Sequence, residues 1–416
     1  MSDKLLKNRQ FLILWIGNAI SELGGAFGAF CNSILLYQLT NSPMALGSMW
    51  LLYFLPSLIL QLFIGPFIDK WSRKWLMIVS QWTRGVIFLI PLVSLAVGNL
   101  ESWHIFVVQI IAGLITPIYT PANQAITPTI IPKDQLSAAN AYKDGTVRLM
   151  TFSAPFLGGV VIEHTGIIPA LIFVCGLLIM SGTLLFFIQE VRTVQHVRKS
   201  WLEQFMEGIS YFFKQPVIVW LGIFLAFVQF GVGVTMVVNL PYITNELSGS
   251  YAEYGYFMAS FPLGYVMGTI FAGKINNKRR RVLMLGALVI GGLTFISLGF
   301  THSIAFALIT EVIAGIAMAF FGVHNITIFQ QAVPNELMGK VSAVRLFIIR
   351  GVMPLGVLTG SFLSEVWGIR PLYFLIGSMI CTVSLLGVIL PYFKIIDHSF
   401  IGENIPCSRK DHKDMH

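Results

Sequence analysis

Gly65-Pro66-Phe67-Ile68-Asp69-Lys70-Trp71-Ser72-Arg73-Lys74 lies between two long apolar runs, 45–64 and 75–97. A membrane crossing needs about 20 apolar residues, so each run can span a bilayer. The ten residues between them therefore read as a short loop joining two transmembrane helices. The loop carries one acid, Asp69, and three bases, Lys70, Arg73 and Lys74. Gly65 permits a turn or a close backbone approach. Asp69 can pair with Arg73 or meet the positive end of a neighbouring helix. The bases are expected to hold the loop on the cytoplasmic side.

The rest of the chain has the same character. Of its 416 residues, 56% are hydrophobic and 11% charged, whereas soluble domains average about 25% charged. This composition describes a polytopic membrane protein and excludes a globular enzyme with one anchor. The net charge of +8 comes from bases clustered between apolar runs, as membrane loops require, and no nucleic-acid partner is expected. The expected partners are the lipid bilayer and a small-molecule substrate, with the chain a monomer. Cys31, Cys175, Cys381 and Cys407 are far apart, so neither a disulfide framework nor a metal knuckle is expected. The apolar run after Lys4, Lys7 and Arg9 is too long for a signal core and reads as a retained first helix.

Hydropathy marks twelve spans: 11–38, 45–67, 75–98, 102–127, 137–162, 167–189, 217–244, 252–274, 281–300, 303–330, 338–364 and 370–393. Loops on one side hold nearly all the bases and those on the other essentially only Arg370, so both termini are expected in the cytoplasm. An internal repeat is visible. Ile111-Ala112-Gly113 recurs 202 residues on as Ile313-Ala314-Gly315. The same offset relates Pro132 to Pro334, Asp134 to Glu336, Arg148 to Arg350, Gly166 to Gly368 and Pro169 to Pro371. The fold expected is all-α and integral to the membrane, with twelve transmembrane helices in two pseudo-symmetric six-helix halves. The halves are placed at 1–190 and 217–394. A linker, 191–216, carries an amphipathic surface segment at 201–209, and a cytoplasmic tail, 395–416, is expected to be disordered over 398–416.

The opening loop resembles the one between helices 2 and 3 of the major facilitator superfamily, Gly-x-x-x-Asp-(Arg/Lys)-x-x-(Gly)-Arg-(Arg/Lys), through Gly65, Asp69, Lys70, Arg73 and Lys74. A second copy, 273–281, keeps the glycine and the bases but has Asn277 in place of the acid. The start Phe11-Leu12-Ile13-Leu14-Trp15-Ile16-Gly17-Asn18, Arg84 in the third span, and Ile131-Pro132-Lys133-Asp134-Gln135-Leu136 through Asn140 resemble the macrolide-efflux-like branch of the drug/proton antiporters. Ser153-Ala154-Pro155-Phe156-Leu157-Gly158-Gly159 is a partial match to the antiporter signature Gly-Pro-x-x-Gly-Gly. Pro155 would kink the fifth span, and Gly158 and Gly159 would let it pack closely. The plainer reading of that segment is a proline kink with small residues for packing. The resemblance implies alternating access, with the Asp69 loop biasing one state. One departure stands out: exporters of this branch often carry Ser-x-x-Gly-Asp in helix 1, whereas this chain reads Ser21-Glu22-Leu23-Gly24-Gly25.

Ionisable groups inside a membrane are costly and usually face a cavity or a partner. Glu22 lies about 16 Å into the first span by helix rise, near the depth of transporter sites. It is the first candidate for proton coupling or for attracting a cation, against a structural pair with a cavity arginine. Glu311, about 12 Å in from the opposite side, is the second. Arg148 and Arg350 sit at matched depths in the fifth and eleventh spans, as do Lys143 and Arg345 one turn nearer the cytoplasm. With Asp144 they either latch the halves or line the pathway for an anionic group. Arg84 reads as a structural partner.

No Gly-Lys-(Ser/Thr) phosphate cradle and no nucleophile–base arrangement is visible, so neither ATP-driven pumping nor enzyme activity is expected. No cofactor and no metal is expected, and the proton gradient is the expected energy source. The function expected is proton-coupled efflux of amphipathic small molecules or drugs across the cell membrane. The alternatives are export of a specific metabolite or siderophore, uptake, and a non-transporting receptor or assembly protein.

Overall fold

The computed structural model describes residues 5–64, 71–132, 135–190, 201–272, 280–334 and 337–398. Gly65, Asp69 and Lys70, the 273–279 part of the echo loop, and the tail from 399 lie outside the described residues, as do Lys133, Asp134 and Glu336.

Twelve long helices form the body: α1 (Arg9–Thr40), α2 (Pro43–Phe63), α3 (Arg73–Ala96), α4 (Ser102–Ile130), α5 (Leu136–Thr165), α6 (Ile167–Leu185), α7 (Pro216–Pro241), α8 (Tyr251–Ala272), α9 (Arg280–Phe300), α10 (Ile304–Ala332), α11 (Met338–Trp367) and α12 (Ile369–Ile389). Among the described residues, eleven helices are long and apolar enough to cross a membrane, and the exception is α8. Its 22 residues include Glu253 and four tyrosines, and it is packed between α5 and α10. Most of its polar residues lie in the half nearer Tyr251, while Leu263, Val266, Ile270 and Phe271 leave an exposed apolar face in the other half.

Local chemistry sets the helix ends. Asn8 caps α1 by accepting from the backbone N–H of Gln10 and Phe11. Ser42 caps α2, with Pro43 at its first position. Helix α3 is interrupted at Phe88, three residues before Pro91, whose ring has no N–H to donate. Gly166 (φ 85°) and Gly368 (φ 82°) turn α5 into α6 and α11 into α12. An L side chain would be strained at either position, and these two glycines are one of the 202-residue pairs.

The repeat is present in three dimensions. Helices α4 and α10 are both 29 residues long and α5 and α11 both 30, each pair starting 202 residues apart. Packing follows the same rule: α1 on α5, α2 on α4 and α3 on α6 are matched by α7 on α11, α8 on α10 and α9 on α12. Across the midline, α5 packs on α8 and α2 on α11. The amphipathic segment is a helix, Trp201–Lys214, lying against α11 through Gly208 and a Lys340–Glu207 ion pair of 2.7 Å.

The two sets of six helices meet at the end opposite the basic loops. There Asn245 Nδ2 donates to the Tyr37 hydroxyl (2.7 Å) and Ser42 Oγ donates to Glu365 Oε1 (3.0 Å). Nearer the middle, Phe30 stacks on Tyr254 with ring centroids 5.1 Å apart. At the other end Arg148, Asp144 and Arg350 are exposed, and the molecule is open there.

Candidate functional site

A cavity of about 400 Å³ lies where the two sets of helices meet. Its walls come from α1, α2, α5, α7, α8, α9 and α10. Aromatic rings dominate, with Phe30, Trp50, Phe152, Tyr254, Phe261 and Phe295 facing it, and Met236 and Met258 filling between them. Asn239 supplies an amide, held by a 2.8 Å bond from the Tyr373 hydroxyl to its Oδ1. Among the described residues, Glu311 is the one charged side chain in the wall, and it has no hydrogen-bond partner. The α10 backbone carries it inward seven residues from Ile304. The α8–α10 contact is tight because Gly315, one turn on, packs against the Phe261 carbonyl.

Glu22 is not part of that wall. It lies on the same face of α1 as Ala26, Ala29 and Ser33, which do line the cavity, but one turn nearer the open end. It is half-buried, within electrostatic reach of Arg84. The Arg84 guanidinium packs against Gly25, and its Nε has no partner among the described residues.

Around this pair the first six helices hold a buried polar network. Gln81 Nε2 donates to Ser21 Oγ (2.7 Å), while Tyr119 and Asn123 both donate to Asn18 Oδ1 (3.3 and 2.6 Å). Lys143 Nζ donates to Asn123 Oδ1 (3.0 Å), the Asn123 carbonyl (3.1 Å) and Thr127 Oγ1 (2.6 Å). Its pseudo-symmetric partner Arg345 donates to Asn325 Oδ1 and lies over the Phe329 ring, 4.4 Å from its centroid. Asp144 pairs with Arg148 one turn along the same helix (3.0 Å), and Arg350 is exposed toward the open end. Pro155, Gly158 and Gly159 sit at the midline. Gly158 abuts Phe30, and Gly159 abuts the α8 backbone at Tyr251 and Ala252.

Of the opening loop, Arg73 and Lys74 fall within the described residues, and they reveal a partner the sequence reading did not single out. Glu190 accepts from the Ser72 hydroxyl and from the backbone N–H of Arg73 (2.8 Å) and Lys74 (3.4 Å). The Arg73 side chain reaches the Ala125 carbonyl (3.0 Å). The same device recurs 208 residues on. The Arg281 N–H donates to Asp397 Oδ1 (2.9 Å), and its guanidinium reaches the Leu390 carbonyl (3.0 Å). Two acids, each just past the end of a hydrophobic span, were the available signal.

A twelve-helix bundle with a twofold repeat and a central cavity open at one end defines a membrane transporter. The profile of the Major Facilitator Superfamily matches residues 14–349 and 228–399, and the chain belongs to that family, within its macrolide-efflux-like branch. It is 24% identical over 400 residues to an uncharacterized transporter of the same type from Bacillus subtilis, covering 94% of this chain and 93% of that one. It is 22% identical over 404 residues to macrolide efflux protein A of Streptococcus pyogenes, covering 93% and 97%. The fold matches a bacterial homologue of the iron transporter ferroportin in its inward-facing state, with a TM-score of 0.72 at 15% identity over 91% of this chain and 98% of that one.

Proposed function

We propose that this protein is a secondary active exporter of amphipathic cations in the cell membrane, driven by the proton gradient. One observation carries the reading: an unpartnered carboxylate, Glu311, in an otherwise aromatic and apolar wall. Aromatic faces and a carboxylate together attract a positive, greasy ligand. Methionine and phenylalanine walls adapt to several shapes, which suits a multidrug exporter. A single carboxylate can hold a proton or a substrate's charge but not both, so binding of one expels the other, which makes the exchange an antiport. Glu22, one turn toward the open end, is the second group on the proton's route, facing Arg84.

The basic loops belong on the cytoplasmic side, so the open end faces the cytoplasm and both termini lie there. Residues 1–190 and 217–394 act as the rocking halves, joined by 191–216, with 395–416 as a tail. The loop containing Gly65, Asp69, Lys70, Arg73 and Lys74 biases the state in which its end is closed. Arg148 and Arg350 are exposed at the open end, whereas Lys143 and Arg345 are held on Asn123 and Asn325. None of them is in the cavity wall, and this places export of an anionic metabolite or siderophore second.

The test is efflux of a lipophilic cationic dye and a neutral dye from expressing cells, with and without a protonophore. Protonophore-sensitive efflux of the cation, lost in Glu311→Gln and reduced in Glu22→Gln, is expected. Full cation efflux by Glu311→Gln would overturn the reading.

A further inference from the structure

Behind Glu311 the cavity has a second chamber. It is about 60 Å³ and shares Val232, Phe261, Phe295 and Glu311 with the main cavity. It runs into the second set of six helices, between α9, α10 and α12, where Ala287, Gly291, Ala314 and Met318 line it. Apart from Glu311 its lining carries no polar side chain. Gly291 is the informative position. A Cβ built there meets no atom within 4 Å, so the missing side chain leaves space rather than room for a neighbouring helix. The contrast is Gly292, the next residue, where a Cβ would strike the backbone of α12 at Gly377 and the side chain of Cys381.

We propose that this chamber is a specificity subsite for one short alkyl arm of the cation whose charge sits at Glu311. The inference rests on the cation reading of the cavity and adds a size limit to it. An apolar cavity of about 150 Å³ accommodates a benzene ring. A chamber of 60 Å³ is too small for a ring and takes a chain of about two or three carbons. The carboxylate stands at its mouth, so an ammonium or phosphonium with a propyl substituent places its charge beside Glu311 and the arm behind it. The bulky aromatic groups of the same molecule stay in the 400 Å³ cavity. Each methylene that enters leaves water for a dry apolar wall, the ordinary source of affinity for such groups.

The experiment is binding of methyl- and propyl-triphenylphosphonium to the purified full-length protein in detergent, by equilibrium dialysis. Wild type is expected to bind the propyl compound about tenfold or more tightly than the methyl compound, following the burial of two further methylenes. In Gly291→Leu the new side chain fills the chamber. The propyl advantage is expected to vanish there while methyl binding stays at the wild-type level. Gly291→Ala, which only narrows the chamber, is expected to keep part of the advantage and provides the readout if the leucine variant does not fold. A propyl advantage unchanged in both variants would overturn the subsite while leaving the cation reading intact. Failure of wild type to bind either phosphonium would overturn the cation reading and the subsite with it.

Discussion

Lys143 and Arg345 stand 202 residues apart and make the same contact, each donating to an asparagine of the preceding helix, Asn123 and Asn325, that are themselves 202 residues apart. The third position differs to suit the base. Thr127 gives the lysine a hydroxyl at 2.6 Å. Its counterpart Phe329 gives the arginine a ring face, 4.4 Å from the guanidinium carbon. An ammonium is a compact, well-hydrated charge that wants oxygen acceptors, whereas a guanidinium is planar and stacks. The repeat has thus kept a base anchored at one depth in both sets of helices while letting the chemistry of the anchor diverge.

That divergence predicts that Arg345→Lys is not a conservative change. A lysine cannot stack flat on Phe329, and a loss of about 1 kcal/mol is expected. Phe329→Leu should cost a similar amount. Because both remove one contact, the double variant should cost little more than either alone, a coupling of about 0.5–1 kcal/mol. Thermal unfolding of the detergent-solubilised variants reads this, and strict additivity would refute the contact.

Gly113 and Gly315 make the second prediction. Each packs on a backbone carbonyl of a neighbouring helix, that of Tyr53 on α2 and that of Phe261 on α8. A backbone carbonyl cannot swing aside, so Gly113→Ala and Gly315→Ala must push the helices apart. Each is expected to destabilise by about 1–3 kcal/mol. Gly145, where a Cβ meets nothing within 4 Å, is the control. Gly145→Ala should be neutral or stabilise by up to about 1 kcal/mol. Unfolding temperatures of the three variants decide it.

Much of this was legible in the chain. The Ile-Ala-Gly repeat at 111–113 and 313–315 is legible because a close helix crossing admits only glycine, so the constraint acts on one residue. The helix register of the 202-residue repeat followed from the same kind of mark at Gly166 and Gly368. The cavity was not legible. Its wall is assembled from seven helices, and nothing in the sequence distinguishes Phe261, which faces the cavity, from Phe271, which is exposed. Glu311 and Glu22 were both visible as acids in apolar runs. Which of them reaches the cavity wall depends on where along the helices the cavity lies, which hydropathy does not report, and Glu22 misses it by one turn on the same face of α1. Glu190 carries no such mark because it reads as the last residue before a polar linker, whereas its contacts are with the start of α3, over 110 residues earlier.

The closed end gives a third prediction. Asn245 and Tyr37 join α7's π-helical extension, Tyr242–Glu246, to α1 through one part-buried hydrogen bond of 2.7 Å. This bond must break when that end opens. Tyr37→Phe removes it at a cost of about 1 kcal/mol to the closed state, a shift of about fivefold in the population open at that end. Spin labels on cysteines placed at the exposed Leu39 and Trp367 would report it as growth of the long-distance component. An unchanged distribution would mean that the bond does not hold this end shut.

The last prediction concerns Glu190 and Asp397. Each carboxylate accepts from a backbone N–H in the first turn of a helix, that of Arg73, the first residue of α3, and that of Arg281, the second residue of α9. The positive end of the helix dipole and the otherwise unsatisfied N–H groups both favour a negative charge there. Glu190→Ala and Asp397→Ala are each expected to destabilise by about 1–2 kcal/mol. The two differ in what they leave behind. Asp397 also ion-pairs with Arg281, 3.4 Å away and largely buried, so its removal strands a buried charge and should be the costlier. Glu190→Gln keeps an acceptor and should recover part of the loss, whereas Asp397→Asn should recover less. Thermal unfolding of the four variants at low and high salt tests this order, and equal recovery by both amides would show that the Arg281 pair adds nothing.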